Sequence, residues 1–295
     1  MALLDRLKGG QGAPIKSAKK RLDIRSRFEV LREPYTGRKS KVYLARDKQS
    51  GEQVAIKVLD AKKAAEFEAR FKGLNKPSEG EIAAQFNHPY ICRTIEFGMT
   101  TEGAPYLIME PLGAALNTIL GVGPDAIAGR RLKYLAQVGE ALDVVHKAGI
   151  LHRDVCPRNL LFTEDGETLK LTDFGMAVPA TGRFLEPGNR SGTPAYMAPE
   201  LVRLQKTDQR LDIFAFGVIA YEMFAATSPW PGESGGSGAV WHTSQPIDLR
   251  EHCPEIHPNL AEAIMKCVQP DLSKRCPSMT HFLTMLRRAP RETAE

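Results

Sequence analysis

The first third of the chain alternates short apolar runs with turn residues. Runs beginning at Phe28 (FEVL), Lys41 (KVYLAR) and Gln53 (QVAIKVL) are rich in β-branched residues and predict an antiparallel meander. TIEFG from Thr94 and YLIME from Tyr106 predict two further strands. Residues 61–74 carry apolar positions at helical spacing, which predicts a helix. Ser78, followed three residues later by Glu81, has the form of a capping box and predicts the start of another helix.

After Leu112 the pattern becomes mainly helical. Residues 129–148, 209–226 and 259–268 show the helical period. The most apolar window, 213–226, contains a glutamate and is shorter than the roughly 20 residues of a membrane span, so it predicts a buried core helix. The Gly/Ser-rich stretch 232–238 predicts a surface loop.

Composition narrows the class of protein without identifying it. The 295 residues are 42% hydrophobic and 25% charged, which excludes a wholly disordered chain and allows one large domain or two lobes. The net charge of +5 favours anionic partners in general, and it predicts no nucleic-acid role and no other particular partner.

The five cysteines are widely spaced and include no CxxC pair, which argues against a disulfide framework and against a zinc site. The opening MALLDRLKGG has too short an apolar stretch for a signal peptide. With no predicted transmembrane segment, these features lead us to expect a cytoplasmic protein.

Residues 1–27 are basic, notably at Lys19, Lys20 and Arg21. We expect a solvated flexible extension, and docking of a regulatory protein or a lipid surface is the other interpretation. The predicted organisation is this extension, a β-rich lobe over 28–112, a helical lobe over 113–290, and a tail over 291–295.

Four short motifs occur in a fixed order along the chain. They are Val54-Ala55-Ile56-Lys57, His152-Arg153-Asp154-Val155-Cys156-Pro157-Arg158-Asn159, Asp173-Phe174-Gly175, and Gly192-Thr193-Pro194-Ala195-Tyr196-Met197-Ala198-Pro199-Glu200. Each tripeptide within them occurs by chance in unrelated proteins. All four in this order and spacing are very improbable as a coincidence.

On these motifs the chain resembles the eukaryotic-type protein kinase family over about residues 28–286. DIFAFG from Asp212 resembles the central buried helix of that family, and Arg275 stands where its arginine pairs with a glutamate, here Glu200. The resemblance implies an α+β, bilobal protein-kinase-like fold. A small antiparallel β-rich N-lobe and a larger helical C-lobe would hold the active site between them.

The resemblance also implies a role for each motif residue. Lys57 would hold the α- and β-phosphates of ATP, and Asp154 would accept or orient the substrate hydroxyl. Asn159 and Asp173 would supply the oxygen ligands that Mg²⁺ prefers. ATP, Mg²⁺ and protein substrates are the cofactors and partners implied.

Lys57 needs a carboxylate partner, and the sequence offers two candidates. In the family this glutamate usually lies nine residues before the His of a His-Pro pair, which here is His88 and indicates Glu79. Glu81 stays open as the alternative, because Glu79 lies very close to the predicted start of the helix.

The nucleotide base would lie against the segment YLIMEPLG. Alignment with the family makes Met109 the gatekeeper and the backbone of Glu110 and Leu112 the adenine contacts. The adenine ring would be enclosed by three apolar side chains, Val42, Ala55 and Leu161.

The chain departs from the family in its phosphate loop. Aligning Val42 with the family valine puts Tyr35, Gly37 and Ser40 at the three glycine positions, so only the middle glycine is present. Glycine permits close approach of the backbone to phosphate, and losing two glycines would stiffen or lift the loop.

A second departure lies in the catalytic loop. Cys156 occupies the position where serine/threonine kinases carry a lysine, and Arg158 matches the position from which tyrosine kinases supply an arginine. We hypothesise that Arg158 replaces the missing cation. The segment from Gly192 to Tyr196 resembles serine/threonine kinases, with Thr193 contacting Asp154.

The activating signal stays open. Arg153 in such kinases commonly pairs with a phosphorylated residue, and the aligned position here is Asn189. Ser191, Thr181 or the fixed charge of Glu186 would have to substitute. A constitutively ordered loop is the alternative.

The sequence therefore predicts a Mg²⁺- and ATP-dependent serine/threonine protein kinase. A pseudokinase scaffold that acts through protein contacts is the alternative, on the strength of the degenerate glycine loop and Cys156. A small-molecule kinase is disfavoured by the complete segment from Asp173 to Glu200.

Overall fold

The computed structural model describes residues 17–18, 20–37, 39–188, 191–230, 242 and 244–288. The chain forms two compact units, Met1–Leu112 and Gly113–Glu295. Several predicted features lie outside the described residues: most of the basic extension, Lys19, Asn189, the loop 232–238 and the tail 291–295.

The first unit is built on one six-stranded antiparallel sheet. Its strands are β1 (Phe28–Val30), β2 (Tyr35–Thr36), β3 (Ser40–Asp47), β4 (Gln53–Leu59), β5 (Thr94–Met99) and β6 (Pro105–Met109). The spatial order is β1-β3-β4-β6-β5, and β2 pairs with β3 as a short addition. The predicted meander is confirmed, and β2 is the one strand of this sheet that the apolar runs did not predict.

Alternation along the strands gives this sheet two different faces. One face forms an apolar core of Phe28, Ala45, Val54, Ile56, Tyr106 and Ile108. On the other face, Val42 lies opposite Lys57 and Ala55 lies opposite Met109. Since side chains at i and i+2 point to the same face of a strand, these four predicted site residues share one face.

Three helices accompany the sheet, namely α1 (Ile24–Arg27), α2 (Ala61–Ala69) and α3 (Glu79–Ala83). Asp60 caps α2 by accepting from the backbone N–H groups of Lys62 and Lys63. The helix stops short of the predicted residue 74, and Gly73 follows with a φ of +82° that a continuing helix does not allow. The predicted capping box at Ser78 is confirmed at the start of α3.

The segment preceding β1 differs from the flexible extension that the sequence predicts. The N–H groups of Ala18 and Leu22 donate to the carbonyls of Phe97 and Met99, each at 2.9 Å. Ala18 and Leu22 also pack against the apolar core. Because β5 is an edge strand with unpaired backbone groups, this basic segment gains hydrogen bonds along the edge and partly buries its two apolar side chains, Ala18 and Leu22.

The second unit is mainly helical. It contains α4 (Leu116–Val122), α5 (Arg131–Lys147), α6 (Pro199–Val202), α7 (Arg210–Ala225), α8 (Leu249–His252), α9 (Pro258–Cys267) and α10 (Met279–Leu286). Its short strands are β7 (Ile150–Leu151), β8 (Leu160–Phe162), β9 (Leu169–Leu171) and β10 (Val178–Pro179). They pair as β7 with β10 and β8 with β9.

Helix α7 is the centre of this unit, as the apolar window predicts. Twelve of its residues are buried, so it has no solvent-facing side of the kind that surface helices carry. Gly217 lets α9 approach closely, since a Cβ at this position would lie 2.5 Å from the Cβ of Cys267. No helix among the described residues is long and apolar enough to cross a membrane.

Candidate active site

In the first unit, Lys57 pairs with Glu79. The Nζ atom of Lys57 donates to Oε1 of Glu79 at 2.5 Å, and both side chains are buried. Glu81 instead closes the capping box, where its Oε2 accepts from the backbone N–H of Ser78 at 2.8 Å. Of the two candidates, Glu79 is therefore the carboxylate beside Lys57.

Packing of α3 on the sheet sets the position of Glu79. The next residue, Gly80, faces Phe97 of β5, and a Cβ on Gly80 would lie 2.5 Å from the ring. Only a residue without a side chain allows this distance. The short helix is thus fixed at its first turn by the cap at Ser78 and by the contact between Gly80 and Phe97.

The predicted adenine contacts lie at the end of β6. Met109 is its last residue, and the Glu110 N–H donates to the Arg93 carbonyl at 3.0 Å. The Glu110 carboxylate accepts from the Arg93 N–H at 2.7 Å, so both groups fix the backbone that leads to Leu112. Leu112 is partly buried and ends the first unit.

The glycine-poor loop forms a tight hairpin between β2 and β3. The Gly37 N–H donates to the Ser40 carbonyl at 2.9 Å, and Tyr35 pairs with Val42. The Tyr35 side chain is 71% exposed, so it does not fill the sheet face that carries Lys57.

In the second unit, Asp154 is held from two sides. Its Oδ1 accepts from the Thr193 hydroxyl at 2.7 Å, and its Oδ2 accepts from Nδ2 of Asn159 at 3.1 Å. Asn159 Nδ2 also donates to the Asp154 carbonyl at 2.8 Å. Three predicted site residues from two separate motifs therefore meet at one carboxylate.

Asn159 and Asp173 lie on adjoining backbone. The Asn159 carbonyl accepts from the Thr172 N–H at 2.9 Å, which places the residue before Asp173 against Asn159. Asp173 adopts a φ of +64°, and its Oδ1 accepts from the Gly175 N–H at 3.1 Å. A non-glycine residue in this region is strained, and such strain clusters at functional sites.

Asp212 of α7 fixes the backbone at His152 and Arg153, the residues directly before Asp154. Its carboxylate accepts from the N–H groups of His152 and Arg153, each at 2.8 Å, and from Nε2 of His146 at 2.9 Å. Burial raises the pKa of Asp212, but hydrogen bonding to His146 and the neighbouring charges outweigh this and hold the pKa below its ordinary value. The ionised carboxylate can thereby hold Arg153 at its φ of +68°.

Cys156 and Arg158 take different positions around Asp154. Cys156 is buried, and burial together with the charge of Asp154 raises the pKa of its thiol. Arg158 is exposed, with Nη2 at 3.5 Å from the Thr193 hydroxyl. Arg158 is thus a cation close to Asp154 through Thr193, while Cys156 brings no positive charge.

The segment from Gly192 to Glu200 is anchored at both ends. Gly192 adopts a φ of +137°, and a Cβ there would lie 2.8 Å from the Arg153 carbonyl. At the other end, Glu200 accepts from Nη1 and Nη2 of Arg275 at 2.7 and 3.0 Å, and both residues are buried. This is the pair that the resemblance implies.

Leu161, the remaining predicted adenine contact, lies on β8, where it pairs with Lys170 and forms an isolated bridge to Ala115. Among the candidate phosphorylation sites, Ser191 is buried while Thr181 is exposed. Glu186 is exposed and lies 3.9 Å from Lys206. Across the described residues, no group of three or more His, Cys, Asp or Glu could hold a metal ion without further ligands.

The sequence does not predict the contacts of two acidic residues of α7. The motif DIFAFG indicates no partner for Asp212, and the apolar window 213–226 indicates none for Glu222. The Tyr196 hydroxyl donates to Oε2 of Glu222 at 2.9 Å, and burial raises the pKa of Glu222 to about 7. The same feature of the sequence indicates a partner for both residues: each is an acidic side chain within a helix that is predicted to be buried, and a buried acidic side chain requires a partner.

Comparison with known proteins gives one consistent result. A family model described as protein kinase domain matches residues 29–285. Serine/threonine-protein kinase pkn2 of Myxococcus xanthus is 33% identical over 89% of this chain and 32% of its own length. Serine/threonine-protein kinase PknA of Mycobacterium tuberculosis is 33% identical over 82% of this chain and 56% of its own length.

Ribosomal protein S6 kinase alpha-2 of Mus musculus is 36% identical over 70% of this chain and 28% of its own length. The chain thus spans about a third of the length of pkn2 and just over half of the length of PknA.

Proposed function

Because this chain belongs to the protein kinase family, we propose that it transfers the γ-phosphoryl group of ATP to serine and threonine hydroxyls of protein substrates. The observation that carries the proposal is the fixed carboxylate of Asp154. Thr193 and Asn159 each donate to one of its oxygens, so the carboxylate keeps one orientation. A positioned carboxylate can orient a substrate hydroxyl and accept its proton during transfer.

Lys57 would hold the phosphates that precede the transferred group. A buried ammonium needs a compensating charge, which Glu79 supplies at 2.5 Å. The pair keeps Lys57 charged and extended on the sheet face that also carries Val42 and Ala55. Positioning and charge neutralisation are the main demands of phosphoryl transfer, so this arrangement supports the proposal.

The oxygen donors near Asp154 suit Mg²⁺. Asn159 uses its amide nitrogen as a donor to Asp154, which directs the amide oxygen away from that carboxylate. The carboxylate of Asp173 is the second oxygen ligand, and its orientation is fixed by the Gly175 N–H. Two protein ligands are typical for this ion, which completes its shell with phosphate oxygens and water. When bound, it would neutralise phosphate charge.

The adenine ring would contact the backbone after Met109. The Glu110 N–H is bonded to Arg93, so we assign the Glu110 carbonyl and the backbone of Leu112 as the adenine partners. Val42, Ala55 and Leu161 would provide the apolar contacts, and Gly37 would lie nearest the phosphates.

Specificity for serine and threonine rests on Thr193. Its hydroxyl both donates to Asp154 and lies within 3.5 Å of Arg158, so it joins the base to the nearest cation. We assign to Arg158 the charge that Cys156 does not provide.

A pseudokinase scaffold is the second candidate. It is favoured by the single glycine in the hairpin between β2 and β3 and by the buried, uncharged Cys156. Against it stand Lys57, Asp154, Asn159 and Asp173, which are all present in one chain.

Transfer of radiolabel from ATP to generic protein substrates tests the proposal. We expect Asp154→Asn to lower the transfer rate by about 10²–10⁴-fold, the usual contribution of a positioned base. Asp125→Asn is the matched control, because the Asp125 side chain is 98% exposed, and it should leave the rate unchanged. Phosphoamino-acid analysis of the product should yield phosphoserine and phosphothreonine.

Two outcomes would contradict the proposal. Tight binding of Mg-ATP without label transfer by the unaltered chain would support the scaffold. Equal transfer by Asp154→Asn and by the unaltered chain would remove Asp154 from the reaction.

A further inference from the structure

Two buried cysteines lie next to each other at the junction of α9 and α10. Cys267 is the last residue of α9, and Cys276 precedes α10 by three residues. The Cys276 N–H donates to the Lys266 carbonyl at 3.0 Å, which brings the two cysteines side by side. The Cys267 thiol donates to the Ala263 carbonyl at 3.4 Å, and the Cys276 thiol donates to the Ser278 carbonyl at 3.3 Å.

The two thiols have different electrostatic surroundings. The neighbouring Cys267 side chain lowers the pKa of Cys276. Backbone hydrogen bonds at Ser278 and Phe282 and the charge of Lys266 lower it further, despite burial. Burial raises the pKa of Cys267 well above its ordinary value. Thiolate formation is therefore favoured on Cys276 over Cys267.

The other cysteines lack this arrangement. The Cys253 thiol donates to the Phe224 carbonyl at 3.2 Å, and Cys156 is buried beside Asp154 and Thr193. Cys253 is partly exposed, whereas Cys267 and Cys276 are at most 1% exposed. If exposure alone decided, Cys253 would be the first thiol to be oxidised. Oxidation of Cys267 and Cys276 before Cys253 would instead show that the arrangement of the pair decides.

We propose that Cys267 and Cys276 are a modification site for hydrogen peroxide, at which they close to an intramolecular disulfide. The Cys276 thiolate attacks one peroxide oxygen, the O–O bond breaks, and hydroxide leaves, giving a sulfenic acid. The Cys267 sulfur then attacks the Cys276 sulfur, the S–O bond breaks, and a second hydroxide leaves. With the two thiol protons, the products are one disulfide and two water molecules. The sulfurs together lose the two electrons that the peroxide gains.

The loop over the pair offers a route for so small an oxidant. Lys274 and Pro277, on either side of the buried Arg275 and Cys276, are both exposed. The residues on either side of Cys276 thus reach the surface, and hydrogen peroxide is close to water in size. Larger disulfide reagents would need this loop to open.

Formation of the disulfide would move the loop that carries Arg275 and Cys276 rather than helix α7. Cys267 packs tightly against Gly217, where a Cβ would lie only 2.5 Å away, so it has no room to move in that direction. The shift needed to form a bond of about 2.05 Å therefore falls on Cys276 and its neighbour Arg275. Arg275 holds Glu200 at the end of the segment that carries Thr193.

Peptide mapping of the full chain tests the site directly. After treatment with hydrogen peroxide, disulfide formation should lower the intact mass by two hydrogen atoms, and subsequent alkylation should leave Cys267 and Cys276 unmodified. Trypsin cleaves after Lys266, Lys274 and Arg275, so residues 267–274 and 276–287 are separate peptides that only the disulfide joins. Reduction should release both. The Cys253→Ser variant should still form the linkage, whereas Cys267→Ser should not.

Peptide mapping of the unaltered chain stays a valid test even if a cysteine variant does not fold. A linkage through other cysteines, or oxidation of Cys253 with residues 267 and 276 left as thiols, would overturn the proposal.

The effect on activity rests on the proposed function and is measured separately. We expect the oxidised chain to show a severalfold higher KM for a protein substrate, an unchanged KM for ATP, and recovery after reduction. A disulfide without label transfer in either state would leave the site standing and contradict the kinase activity. An unchanged KM for the protein substrate in an active, fully cross-linked chain would overturn the coupling through Arg275.

Discussion

At the scale of single residues, the site depends on carboxylates with different surroundings. Asp154 is partly buried and accepts from two donors. Asp212 is fully buried and accepts from the backbone N–H of His152. Glu222 is the third case, with a single donor, the Tyr196 hydroxyl, in a largely apolar setting. Hydrogen bonds and neighbouring charge hold the pKa of Asp212 below its ordinary value despite burial, whereas burial raises the pKa of Glu222 to about 7.

Arg158 is expected to carry part of the phosphate charge in the reaction. Arg158→Ala should lower kcat by about 10- to 100-fold, which matches the 1.5–3 kcal/mol of a charge-assisted hydrogen bond. Steady-state kinetics with ATP and a protein substrate measure this. Arg158→Lys should restore most of the rate, and Arg130→Ala, which removes an exposed arginine beside Glu167, should have no effect. Near-normal turnover in Arg158→Ala would show that another group supplies the charge.

Glu222 is expected to make the free energy of unfolding depend on pH. Below its ordinary pKa of 4.5 the group is protonated in both states. Between pH 4.5 and about 7 only the unfolded chain ionises, so its stability relative to the folded chain grows as pH rises. Above this range both states are ionised and the difference stays constant.

Glu222→Gln removes this ionisation and keeps an acceptor for Tyr196. The variant should therefore gain about 3 kcal/mol relative to the unaltered chain between pH 4.5 and pH 8. Urea unfolding at both pH values measures the difference, in which the other titrating groups cancel. A difference that is the same at both pH values would refute the assignment.

At the scale of elements, α3 depends on two contacts that lie outside the helix itself. It has only five residues, so packing rather than helix propensity determines its position. Phe97 touches Gly80 from β5, and the same residue accepts the backbone bond from Ala18. The segment before β1, strand β5 and helix α3 therefore form one packed group that ends at Glu79.

A methyl group on Gly80 should displace α3. The added Cβ would lie 2.5 Å from the Phe97 ring, so the helix must move and Glu79 with it. We expect Gly80→Ala to lower kcat by at least tenfold, with a smaller change in thermal stability. Gly121→Ala is the control, since Gly121 is also helical and has open space around it. Full activity in Gly80→Ala would show that α3 tolerates the shift.

At the scale of the whole molecule, a few buried polar links join segments that are distant in the chain. Arg275 and Glu200 are 75 residues apart and almost fully buried. Arg275 also donates to the carbonyls of Gln269 and Arg210. One guanidinium thus joins α6, α7 and the loop after α9.

Arg275→Met should destabilise the chain by about 3–5 kcal/mol, because Glu200 would be left as an unpaired buried charge. Urea unfolding measures the change. Arg250→Met is the matched control, since Arg250 and Asp248 form an exposed pair that should contribute less than about 1 kcal/mol. Adding Glu200→Gln to Arg275→Met should recover part of the loss, and no recovery would mean that the lost carbonyl bonds dominate.

Local patterns made much of this protein readable in advance. The meander, the capping box at Ser78 and the buried helix α7 all depend on residues within a few positions of one another. The order of the motifs identified the family, because each motif is contiguous. Glu79 was favoured by a spacing rule carried over from the family, and nothing in the local pattern excluded Glu81.

The sequence alone thus determined the strand and helix periods, the caps and the identity of the chemistry-bearing residues. Tertiary structure decided which carboxylate reaches Lys57, how the chain before β1 covers the edge of β5, and which two of the five cysteines lie side by side. It also decided that Arg153 and Asp173 adopt positive φ angles and that Glu222 is held near a pKa of 7. The physical reason is that these features depend on burial and on contacts across 22 to 75 residues, which packing creates and no local pattern records.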